Sequence, residues 1–323
     1  MSQRHILVVA HTGRQESLDA AVEVCRQLID AGLTPVLARE DQDDILAVSP
    51  DLAPTATLGD NRAGGAVAIG EIELAIVLGG DGTILRAAEL TRGCSAPLLG
   101  VNLGHVGFLA ESEREDLAET VTRVLARDYL VEERMTINVR VKVDAEVVFE
   151  TWALNEASVE KANRERVLEV VIEIDGRPLS SFGCDGVVMA TPTGSTAYAF
   201  SGGGPVVWPS VDALLLVPLS AHALFARPLV VGPNSALAVE ILQRTGATGV
   251  LSCDGRRTFD LPAGSRVVAR RSPTPVRLAR LNQGPFTDRL VNKFNLSVSG
   301  WRGPVGDEAL RTSDSSSAEP GMS

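Results

Sequence analysis

The residues best suited to chemistry are Gly79-Gly80-Asp81-Gly82-Thr83. They follow the apolar run 74–78, and helical spacing begins at about Thr83, so a buried parallel strand feeds a glycine turn that feeds a helix. Glycines admit backbone conformations and close approaches that a Cβ forbids. Turns of this kind aim backbone N–H groups at phosphate beside a helix N-terminus. A carboxylate among them repels that phosphate, so Asp81 needs another task. Two readings fit: Asp81 takes a proton from an attacking hydroxyl, or Asp81 or Thr83 caps the helix.

Two further clusters carry polar chemistry. Asn155-Glu156 follows an apolar strand segment. Asn donates and accepts at once and Glu accepts from two hydroxyls, which suits a base edge or a ribose, although such a dipeptide also simply ends strands. The stretch from Asp185 to Pro205 packs hydroxyls, small residues and glycines behind another apolar strand. A flat or phosphorylated ligand can approach such backbone closely. Tyr198, one of two tyrosines, is placed to stack on or close over a base.

The elements that position these clusters change period midway. Residues 5–10, 34–38, 74–78 and 97–101 read as strands, and 17–31, 83–92 and 113–127 as amphipathic helices. This alternation implies a parallel sheet covered on both faces, with ligands beyond the carboxyl ends of its strands. Residues 40–70 are polar and Gly-rich and give no clear assignment. From about Met135 the pattern alternates as in half-buried antiparallel strands, and Asp175-Gly176 between two such runs signals a hairpin. The fold class expected is α/β plus all-β, the second part being two layers or a barrel. The domain expectation is 1–130 for the α/β part carrying the glycine turn and 131–285 for the β part. The segment after it cannot fold alone and must pack on one of the two domains, with a disordered tail at 304–323.

Composition narrows the classes. A net charge of −11 disfavours general nucleic-acid or anionic-membrane binding. The four cysteines have no C-x-x-C spacing, so reduced cytosolic thiols are expected rather than zinc or a disulfide framework. The first apolar run is short for a signal peptide, and no uninterrupted run reaches membrane length. No P-loop, G-x-G-x-x-G, G-x-S-x-G or H-E-x-x-H occurs, and the four histidines lack metal-ligand spacing.

Gly79–Thr83, the segment 100–109 (Gly-Val-Asn-Leu-Gly-His-Val-Gly-Phe-Leu), Asn155-Glu156 and the stretch from Asp185 to Pro205 occur in this order. Together they closely resemble the NAD kinase family, especially its ATP- or polyphosphate-dependent actinobacterial members, over roughly residues 5–303. The glycine turn alone is shared with lipid and 6-phosphofructokinase-like kinases; the Asn-Glu pair with Thr-Pro-Thr-Gly-Ser-Thr-Ala-Tyr is specific to NAD kinases. The resemblance implies a Rossmann-like N-terminal domain, a C-terminal β-sandwich (131–285) that binds the dinucleotide, a return segment (286–303) that packs on the N-terminal domain, and transfer of phosphate from ATP to the 2′-hydroxyl of the adenosine ribose of NAD. It further implies a divalent cation (Mg2+), polyphosphate as donor in some members, a homodimer or homotetramer, and a cytoplasmic location. No metal ligand is identified.

Residue by residue, the resemblance makes Asp81 the proton acceptor. Gly79, Gly80 and Thr83 are expected at phosphate. Gly82, Arg86, Asn155, Glu156, Arg166 and Asp185 are expected at the substrate. Thr196, Ala197, Tyr198, Ala199, Phe200 and Ser201 match the loop that wraps the nucleotide. Asp254-Gly255-Arg256 lies in a region that some members use for ligand contact. The rival readings are a lipid kinase built on the same glycine turn and a non-catalytic NADP-binding sensor. Intact Asp81 and the 185–205 stretch favour the kinase of NAD.

Overall fold

A computed structural model describes residues 4–52, 55–59, 66–103, 107–110, 112–113, 117–163, 165–282 and 284–298. The first half runs β1 (His5–Ala10), α1 (Gln15–Asp30), β2 (Thr34–Leu37), α2 (Arg39–Val48), β3 (Ala56–Leu58) and β4 (Ala66–Val67). It continues with β5 (Ile72–Leu78), α3 (Asp81–Leu90), β6 (Leu98–Asn102), β7 (Ser112–Glu113), α4 (Leu117–Ala126) and β8 (Leu130–Arg134). Next come β9 (Ile137–Val143), β10 (Glu146–Ala153), β11 (Glu156–Lys161), β12 (Leu168–Ile174), β13 (Arg177–Cys184), β14 (Gly186–Ala190) and the one-turn α5 (Tyr198–Ser201). The chain finishes with β15 (Leu214–Leu219), β16 (Leu229–Val231), β17 (Ala236–Ile241), β18 (Gly249–Cys253), β19 (Arg257–Leu261), β20 (Arg266–Arg271), β21 (Val276–Arg280) and α6 (Phe286–Phe294).

The first sheet has the order β4-β3-β2-β1-β5-β6-β21-β8, with β7 beside β6. Its strands are parallel except that β8 runs antiparallel to β21. The chain winds outward from β1 to β4 and then returns to β5 on the other side of β1. This makes a topological switch point, where ligands settle outside the carboxyl ends of strands. Alternate residues of β1 explain the burial. Ile6 and Val8 pack with α1 and α4, whereas Leu7 and Val9 pack with α3.

The second part is a sandwich of two six-stranded sheets, β10-β9-β20-β17-β12-β13 and β16-β15-β14-β11-β18-β19. Their inward residues share one core, in which Val139, Val170 and Val239 face Val159, Val187 and Leu251. The β12–β13 hairpin turns at Asp175 and Gly176, with φ of 54° and 76°, the left-handed pair that a two-residue hairpin needs.

The structure departs from expectation at the domain borders. The strands at Leu130–Arg134 and Val276–Arg280 were expected at the edge of, or inside, the β domain, yet both belong to the first sheet. Alternation shows that a strand is half-buried, not which sheet it joins. The segment 40–70 contains helix α2 and two short strands. The expected tail at 304–323 lies outside the described residues, as do 299–303 and 104–106 of the quoted motifs.

Candidate active site

β5 is apolar from Leu74 to its end at Leu78, where the backbone turns. Gly79 has a φ of 151°, and a Cβ on it would meet Thr83 Oγ1 at 2.5 Å, so only glycine fits. Gly80 is the N-cap of α3 and no side chain caps that end; the Thr83 N–H donates to the Gly80 carbonyl at 2.9 Å, and the Asp81 and Gly82 N–H groups precede the first intrahelical bond. The turn borders a cavity of about 580 Å³ lined by Gly79, Gly80, Gly82 and Thr83 from this turn, and by His11, Thr12, Gly13 and Arg14 after β1. Arg14, Arg86 and Arg256 bring positive charge to it. Helix N-terminus, glycine backbone and arginines together suit phosphate.

The Asp81 carboxylate does not point into that cradle. It turns to the loop at 107–109 and accepts from the N–H groups of Phe108 at 3.2 Å and Leu109 at 3.1 Å. Asp81 is therefore not a cap of its own helix, which removes that reading. It also relieves the clash with phosphate: Gly80, Gly82 and Thr83 line the cavity while the carboxylate turns to the loop.

Arg86 lines the cavity but is held fast. Its guanidinium meets both oxygens of the buried Asp41 at 2.6 Å and the Ala10 carbonyl at 2.6 Å. Asp41 also accepts from Ala10 N–H at 3.2 Å. The pair thus fixes the mouth of β1 against α3. Asp41 went unnoticed in the sequence because it lies in the unassigned stretch at 40–70.

In the sandwich, Asn155 and Glu156 are both buried at the start of β11. The Asp254 carboxylate holds them, accepting from Leu154, Asn155 and Glu156 N–H at 2.9, 2.7 and 3.3 Å. Arg257 donates to Asp254 at 2.6 Å. The 193–196 turn lies flat on Asn155: a Cβ on Gly194 would come within 2.1 Å of the Asn155 carbonyl oxygen. Burial and the nearby Asp254 charge push the Glu156 carboxyl up to about 8, and its Oε2 has no hydrogen-bond partner.

The stretch 196–201 folds as a helical turn running into α5 beside this pair, and the Tyr198 N–H reaches the Glu156 carboxyl. The Tyr198 hydroxyl donates to Glu160 at 3.1 Å, and the rings of Tyr198 and Phe200 remain exposed. Asp185 forms a 2.5 Å ion pair with Lys161, which holds its carboxyl below the usual range. Exposed Arg166 shares a hollow of about 150 Å³ with Lys161. Lys161 is thus the neighbour that Asp185 and Arg166 have in common.

Charged groups join the two halves. Glu89 on α3 pairs with Arg256 at 3.0 Å and Arg257 at 3.2 Å, both from the β18–β19 turn. Trp152 lies between Arg92 and Arg257, whose guanidinium carbons stand 4.0 and 4.4 Å from its ring centre. Arg256 thereby reaches the cavity of the first domain, and Asp254 reaches Asn155 and Glu156 from the same turn. Sequence reasoning had singled out this turn but not its partner Glu89.

Comparison with known proteins agrees with this arrangement. Residues 6–129 match the family model described as the ATP-NAD kinase N-terminal domain, and residues 154–281 the ATP-NAD kinase C-terminal domain. The chain is 72% identical over 305 residues to the NAD kinase of Leifsonia xyli subsp. xyli, covering 94% of this chain and 99% of that protein. It is 59% identical over 306 residues to the NAD kinase of Thermobifida fusca, covering 94% and 92%. In fold it resembles yeast NADH kinase solved with NADH, with a TM-score of 0.80 at 24% identity over 92% of this chain and 89% of that one. Matched from the first strand to Leu281 and nearly identical in length to its relatives, the chain belongs to the NAD kinase family.

Proposed function

We propose that this chain phosphorylates NAD to NADP by holding ATP at the glycine turn and the adenosine ribose of NAD between Asp81 and the Asn155–Glu156 pair. The carrying observation is the first turn of α3, where Gly80, Gly82 and Thr83 line the cavity while the Asp81 carboxylate turns to the 107–109 loop. Phosphoryl transfer needs positioning and charge neutralisation more than covalent help. The N–H groups and Arg14 supply the second at the donor. Asp81 keeps lone pairs beyond the two it shares with the 107–109 loop, and it orients the ribose 2′-hydroxyl and accepts its proton. The hydroxyl oxygen then bonds to the γ-phosphorus as the bond to ADP breaks. Glu156 and Asn155 take the other polar groups of the nucleoside, and Tyr198 and Phe200 flank it.

Among the described residues no three His, Cys, Asp or Glu side chains converge as a metal cage. The chemistry instead fits Mg2+ that enters on the nucleotide and is held largely by its phosphates. Polyphosphate presents the same phosphate chemistry to the cavity and is the alternative donor. A homodimer or homotetramer is part of this reading, supported by the exposed Leu224 and Phe225. So is a cytoplasmic location, supported by the free thiols Cys25, Cys184 and Cys253. No helix among the described residues is long and apolar enough to cross a membrane.

The test is NADP formation from NAD by the purified chain, read with an NADP-specific dehydrogenase, with MgATP and polyphosphate in parallel. Activity with MgATP is expected, and Glu156→Ala should raise the NAD KM. Activity with polyphosphate alone would reassign the donor, and an unchanged KM would place Glu156 outside the site.

A further inference from the structure

The loop that meets Asp81 is gripped from its far side as well. Phe108 and Leu109 N–H donate to the Asp81 carboxylate. Their carbonyls accept from Arg289 on α6 at 3.1 Å and from Arg280 on β21 at 3.1 Å. The Phe108 carbonyl and the Leu109 N–H belong to one peptide group. A guanidinium on the oxygen of that group polarises it and strengthens the N–H it presents to Asp81. The Gly107 backbone lies close against the carboxylate, where a Cβ would stand 2.5 Å from Asp81 Oδ1.

Helix α6 reaches both halves of the site. The rings of Phe286 and Phe294 lie 6.0 and 5.7 Å from Phe108. Phe294 also stacks on Phe200 at 4.6 Å, and Phe286 meets Trp208 edge-on at 5.2 Å. Glu132 on β8 accepts from Arg280 at 2.8 Å and Arg134 at 3.0 Å, which keeps Arg280 aimed at the loop.

We propose that Arg289 is a positioning residue for Asp81: it holds the Phe108–Leu109 peptide that fixes the carboxylate, from a helix that also braces the 198–201 loop. This rests on the reading of Asp81 as proton acceptor. The role is orientational, so its loss appears in turnover and not in NAD binding.

The experiment compares Arg289→Met, Arg289→Lys and Asp81→Asn in the full chain, measuring kcat, NAD KM and NAD affinity. Arg289→Met is expected to lower kcat about tenfold, since small misplacements at a reacting centre cost this much, while NAD KM and affinity hold within about twofold. Arg289→Lys, which keeps charge and donor, should recover most of the rate. Wild-type kcat in Arg289→Met overturns the proposal. So does a joint loss of kcat and NAD binding that Lys does not rescue, because a scaffold helix behaves that way. Where Arg289→Met does not fold, Arg289→Gln carries the same comparison, keeping a donor without the charge. Asp81→Asn separates the two readings. Wild-type turnover there ends the Asp81 reading itself, whereas an inactive Asp81→Asn beside an unaffected Arg289→Met ends only the Arg289 proposal.

Discussion

Glu156 couples stability, pH and substrate through one side chain. Its carboxyl titrates ordinarily at 4.5 and in the fold at about 8, chiefly from burial and then from the Asp254 charge. Between those values the folded chain keeps a proton that the unfolded chain has released. Stability is therefore fully present below the unfolded value, falls as pH rises through the window, and levels off above the folded value. At 1.36 kcal/mol per unit the whole window is worth roughly 5 kcal/mol. Glu156→Gln stays neutral and escapes that loss. Denaturant unfolding should give wild type and variant similar stability near pH 5, and a variant more stable by several kcal/mol near pH 8, roughly the span of the window. Parallel stability curves across that range would refute the reasoning. The same proton reports on the site. Ribose hydroxyls that donate to the carboxylate favour its charged form, so NAD binding at neutral pH should expel a proton. Calorimetry in two buffers of different ionisation enthalpy detects this, and identical heats would remove the contact.

Two further perturbations bear on the architecture. Asp41→Ala leaves Arg86 without its buried partner and should cost about 3–5 kcal/mol, the usual penalty for breaking a buried pair, measured by denaturant unfolding; a loss under about 1 kcal/mol would mean that the pair does not hold β1 to α3. Gly107→Ala inserts a methyl 2.5 Å from Asp81 Oδ1 and must move the carboxylate; kcat should fall about tenfold or more with NAD affinity kept, and an unchanged kcat would show that the carboxylate position is unimportant.

What could be read from the sequence divides along physical lines. The β5–turn–α3 unit was legible because its determinants are local: an apolar run, glycines where a Cβ has no room, and helical spacing after them. The Asp175-Gly176 hairpin was legible for the same reason. The sheet membership of β8 and β21 was not, because strand pairing is a tertiary property that neither short sequence encodes locally. Asp41 stayed hidden in a polar stretch, since only the fold brings it to Arg86 across 45 residues. The direction in which Asp81 points was equally invisible, because it depends on Phe108 and Leu109 and on the arginines behind them. The ion pair of Asp185 with Lys161 and the hollow that Arg166 shares with Lys161 were likewise invisible, because three separate strands and loops bring them together.

The central claim is that Asp81 takes the ribose proton, and Asp81→Asn tests it most directly. Asn keeps the size of the side chain and loses the base. NADP formation from NAD and MgATP should drop by about two orders of magnitude or more, as for acid–base groups, while NAD affinity measured by calorimetry stays within about twofold of wild type. Turnover like that of the wild type would contradict the account.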